Sequence, residues 1–92
     1  MIITAVAWKF KPLEESTEEE LAAERAAIPV RDAHAKEFWG PNGPADNYIS
    51  VELSEDRTRQ IIKRWWPDID KANRWCQLML ADGALSAEIV QQ

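Results

Sequence analysis

Apolar and polar positions alternate with a period of two from residue 2 to residue 10. Ile2, Thr4, Val6, Trp8 and Phe10 fall on one side, and Ile3, Ala5, Ala7 and Lys9 on the other. Both sides are largely apolar, which predicts a strand covered on two faces. Pro12 ends it. Ser16-Thr17-Glu18-Glu19-Glu20 then reads as a helix start, with Ser16 or Thr17 as cap, Glu19 or Glu20 closing a capping box, and acids at the positive end of the dipole. Pro29 lacks a backbone donor and clashes with the preceding turn. It predicts either one kinked helix over 17–39 or two consecutive helices, with Val30, Ala33, His34, Glu37 and Phe38 sharing a face of the second part.

Gly40-Pro41-Asn42-Gly43-Pro44 predicts a loop. Over 47–54, Ile49, Val51 and Leu53 alternate with Tyr48, Ser50 and Glu52, a half-polar strand. A turn at Glu55-Asp56 leads into a strand over 57–66, giving a β-hairpin. Asp68 caps the next helix. Its Ile69, Ala72, Trp75, Cys76, Met79 and Leu80 follow helical spacing and predict a buried stripe. Gly83 suits a left-handed C-terminal stop, and a last strand carries Leu85, Ala87 and Ile89 against Ser86, Glu88 and Val90.

The order is therefore β-α-β-β-α-β within one domain spanning 1–92. It predicts an α+β, ferredoxin-like, four-stranded antiparallel sheet with both helices on one face. The uncovered face is expected to hold Tyr48, Ser50, Glu52, Ser86, Glu88 and Val90, with Trp8 or its neighbours. That mixture is too polar for a dry core and too aromatic for a plain solvent face.

Composition adjusts this picture in three ways. A chain of 92 residues buries a modest core, so self-association would help it. Five tryptophans favour cores, interfaces or ligand pockets. A net charge of -5 repels phosphate backbones and argues against nucleic-acid binding. The basic run Arg57, Arg59, Lys63 and Arg64 is interleaved with Glu52, Glu55 and Asp56, and reads as a mixed-sign sheet surface. The single Cys76 excludes an intrachain disulfide. The apolar N-terminus has neither the basic nor the long apolar region of a signal peptide, and no stretch is long enough to span a bilayer. The expectation is a cytoplasmic protein without membrane contact.

The segment Gln60-Ile61-Ile62-Lys63-Arg64-Trp65-Trp66-Pro67-Asp68, leading into a helix with Trp75 and a final strand, resembles the dimeric α+β barrel superfamily, in particular its antibiotic-biosynthesis-monooxygenase-like members. The resemblance covers the element order of the whole chain and sequence detail in its last third. It implies a homodimer with two sheets packed face to face, and in each protomer a pocket between sheet and helices or loops. The superfamily holds cofactor-free monooxygenases, haem-degrading enzymes, lactone isomerases and members without known activity. Trp66 matches the pocket tryptophan of the haem-degrading branch. The axial histidine of that branch has no counterpart on the last helix, so no cofactor and no metal are expected.

His34 is the candidate general base, with Glu37 one turn away to orient it, or else a helix-edge packing residue. Trp39, Glu37, Trp66 and Tyr48 are the candidate lining of a ligand pocket. Trp65 and Trp66, adjacent on a strand, must point to opposite faces. Glu52 and Glu88 share a face with Lys63 or Arg64 nearby, as an acid–base pair or as a salt-bridged network. Cys76 reads as inert packing. Two functions follow: a homodimeric binding or structural module without identifiable catalysis, or a cofactor-independent monooxygenase- or isomerase-like enzyme acting on a small hydrophobic or phenolic substrate.

Overall fold

A computed structural model describes residues 1–40 and 47–92; most of the loop expected at 40–44 lies outside them. The elements are strand β1 (Ile2–Lys9), a 3-10 turn at Leu13–Glu15, helix α1 (Glu18–Trp39), strand β2 (Tyr48–Leu53), strand β3 (Arg59–Trp66), helix α2 (Ile69–Ala81) and strand β4 (Ser86–Gln91). The sheet is antiparallel throughout, in the order β2-β3-β1-β4, an α+β arrangement compatible with the ferredoxin-like fold.

Local sequence chemistry sets the helix ends. The Thr17 hydroxyl accepts from the Glu20 amide at 3.1 Å, and the Glu20 carboxylate accepts from the Thr17 amide at 3.2 Å. The box satisfies donors that the first turn leaves without partners. Ser16 instead donates to the Pro12 carbonyl at 3.0 Å. Asp68 caps α2 by accepting from the Lys71 amide at 2.8 Å. Gly83, at φ 106, turns the chain out of α2 in a conformation that disfavours any side chain. Helix α1 runs as one element through Pro29.

The core lies between α2, the C-terminal half of α1 and the middle strands. Val6, Trp66, Ala72, Trp75 and Met79 are buried there, together with Ala35, the one buried residue of α1. The α2 stripe holds at Ala72, Trp75, Cys76 and Met79, while Ile69 and Leu80 at its ends are exposed. The Cys76 thiol is buried and its pKa is pushed up, first by burial and then by Glu88.

Register decides which side chains meet the helices. Ile2, Thr4, Val6 and Trp8 of β1 lie opposite Trp66, Arg64, Ile62 and Gln60 of β3, and this is the helix-covered face. Trp8 therefore belongs to the covered side, not to the bare one. Between Tyr48 and Ser50 the β2 register shifts by one residue. The bulge reverses the alternation. Tyr48, paired with Arg64, falls on the covered side, while Ser50 and Glu52, paired with Lys63 and Ile61, stay on the bare side. Arg64 leaves the expected mixed-sign surface as well: it is 7% exposed and faces the helices. The bare face carries Ile3, Ala5, Ala7, Ile61, Lys63 and Trp65 on the central strands, and Glu88 opposite Ala5.

Candidate functional site

Helix α1 touches the sheet unevenly, and a cleft follows from that. Its C-terminal end is held by aromatic rings. Phe38 meets Trp75 edge-on at 6.0 Å between centroids and Trp66 at 6.2 Å. Trp39 meets Trp65 at 4.5 Å and stacks on Trp66 at 6.3 Å. Because Trp65 and Trp66 point to opposite faces, Trp39 must reach past the end of β3 to contact both.

About two turns earlier, polar contacts take over. Asp32 receives Arg64 Nη2 at 2.7 Å, and Arg64 Nη1 donates to Asn47 Oδ1 at 3.0 Å. The Arg64 guanidinium also lies 5.4 Å from the Trp75 ring centre. Asn47 returns a bond from Nδ2 to the Trp65 carbonyl at 3.0 Å. A buried guanidinium needs acceptors of this kind to offset its desolvation. Arg31 stacks on Trp8 at 3.8 Å from the ring centre. Its Nε is buried with no hydrogen-bond partner among the described residues; Asp82 Oδ2 is 3.8 Å away, too far for one.

Beyond Arg31 the N-terminal half of α1 buries nothing. A cleft of about 330 Å³ opens between it and strands β2 and β3. Ile28, Val51 and Ile62 provide apolar walls; Tyr48, Gln60, the guanidinium groups of Arg31 and Arg64 and the carboxylates of Glu24 and Asp32 provide the polar groups. A second cavity of about 520 Å³ lies on the Trp8 side of the helix. Glu24, Arg31 and Gln60 line both, so the two spaces meet at Arg31.

Of the residues expected in a pocket, Tyr48 lines this cleft. Trp39 and Trp66 are together in the aromatic cluster at the end of α1, where Trp66 is 1% exposed and donates from Nε1 to Thr4 Oγ1 at 2.9 Å. Trp39 Nε1, also buried, has no partner among the described residues. His34 is half-buried on α1 and Glu37 is exposed; neither lines the cleft, and no ion pair joins them. On the bare face Lys63 pairs with Glu52 at 3.0 Å, while Arg64 lies on the opposite side of the sheet. Among the described residues no group of three or more His, Cys, Asp or Glu could hold a metal ion, and no helix is long and apolar enough to cross a membrane.

Sequence reasoning did not single out Arg31, and it placed Arg64 on the surface. A signal for Arg64 was present: it sits between Ile62 and Trp66 at alternating strand positions, on an apolar face. No protein-family model matches the chain, and no curated protein or solved structure is significantly similar to it.

Proposed function

We propose that this chain is a homodimeric binding module that holds a small hydrophobic ligand in the cleft beneath α1, without catalysis of its own. The observation that carries the reading is the cleft itself. Its volume lies at the lower end of the range typical of ligand sites, and it combines apolar walls with a few convergent polar groups. His34, the base that the sequence offered, stands outside it, so the reading is binding rather than histidine-based catalysis.

Dimerisation rests on the other face of the sheet. Ile3, Ile61 and Trp65 surround a floor of Ala5 and Ala7 that no helix of the same chain covers. A second copy packed sheet to sheet would cover it, as in the dimeric α+β barrel proteins that the β3–α2 segment resembles.

The test of ligand binding is a titration with 2-naphthalenemethanol, a neutral flat probe, followed by tryptophan fluorescence and calorimetry. Saturable binding to the wild type is expected. It should disappear in Val51→Trp, which fills the cleft from an exposed position where the fold tolerates a larger ring. No saturable binding, or equal binding by the variant, would remove the reading.

A further inference from the structure

The geometry points to a carboxylate subsite at Arg31, so that the ligand class is a flat hydrophobic carboxylate. This inference rests on the proposed binding function and adds the identity of the head group. Arg31 is the residue shared by the two cavities that carries a buried donor without an acceptor. Its guanidinium face is occupied by Trp8, which leaves the in-plane N–H groups to make hydrogen bonds. A carboxylate matches that planar fork with two parallel, charge-assisted bonds. An apolar body extending from it would lie along Ile28, Val51 and Ile62.

Three carboxylates stand near Arg31, and each is engaged, displaceable or screened. Asp32 is already held by Arg64 at 2.7 Å. Asp82 is half-exposed and stays 3.8 Å from Arg31 Nε, a loose pairing that an incoming carboxylate can displace. Glu24 also lines both cavities, but it is exposed and water screens it.

The experiment compares 2-naphthoate with 2-naphthalenemethanol by calorimetry on the wild type, Arg31→Gln and Asp82→Asn. The carboxylate should bind about tenfold more tightly than the alcohol, the size of one net charge-assisted contact. In Arg31→Gln that preference should vanish while the alcohol still binds, which shows that the cleft persists. In Asp82→Asn, naphthoate should bind a few-fold more tightly, because Arg31 loses its competing carboxylate. Equal affinity for both probes, or a preference that survives in Arg31→Gln, would overturn the carboxylate subsite and leave the cleft standing. Binding of neither probe would overturn the subsite together with the binding function.

Discussion

Two tryptophans differ in one hydrogen bond, and their energetics should differ with it. Trp66 Nε1 is matched by Thr4, whereas Trp39 Nε1 is buried and unmatched among the described residues. Replacing Trp66 by Phe removes a satisfied bond and core volume together. It should cost about 2–4 kcal/mol in denaturant unfolding. Trp39→Phe removes an orphaned donor as well as ring area, and the two effects oppose each other, so a change within about 1 kcal/mol is expected. Equal losses at the two sites would show that ring area alone governs the cluster. Asp56 offers a second residue-scale test. Its carboxylate accepts from the Thr58 hydroxyl, the Ser54 hydroxyl and the Thr58 amide, and its pKa is lowered from 3.8 to about 2. A depressed folded pKa stabilises above the unfolded value and loses that contribution as pH falls through the folded one. The melting-temperature gap between wild type and Asp56→Asn should therefore be full at neutral pH and shrink as the pH falls from 3.8 towards 2. A gap independent of pH would contradict this assignment.

At the scale of elements, features with local causes were legible in the sequence. Thr17 with Glu20, Asp68 and Gly83 each depend on residues within about one turn, and each forms; the α2 stripe depends on one helix alone and forms in its middle, at Ala72, Trp75, Cys76 and Met79. Two features depended on partners distant in the chain. The Tyr48/Ser50 bulge is set by pairing with β3, so simple alternation put Tyr48 on the wrong face. The placement of α1 was hidden because only Ala35 of its 22 residues is buried, and no apolar stripe marks a packing face. For the same reason the cleft and Arg31 could not be read from periodicity. Pro29 was readable as a disturbance but not as an end. The helix continues, at the loss of one backbone bond on an exposed turn. Pro29→Ala should restore that bond, raising helicity by circular dichroism and stability by about 1–3 kcal/mol. Unchanged or lower stability would mean that the proline shapes α1 over the cleft in a way the fold requires.

For the whole molecule, the two faces of one sheet differ. The covered face builds the core and, where α1 stands away, the cleft. The bare face is expected to meet a second copy. Light scattering at micromolar concentration should return twice the chain mass. Ile61→Arg should return the single-chain mass, since Ile61 is partly exposed on the bare face and an arginine there would be buried against the partner. A wild-type monomer would set the dimer aside without touching the cleft. That cleft is the central claim, and methyl-resolved NMR during titration with 2-naphthalenemethanol tests it most directly. The account predicts saturable shifts at Ile28, Val51 and Ile62, with Ile3 and Ile61 on the bare face unmoved. Shifts confined to the bare face, or no saturable shift at any methyl, would contradict it.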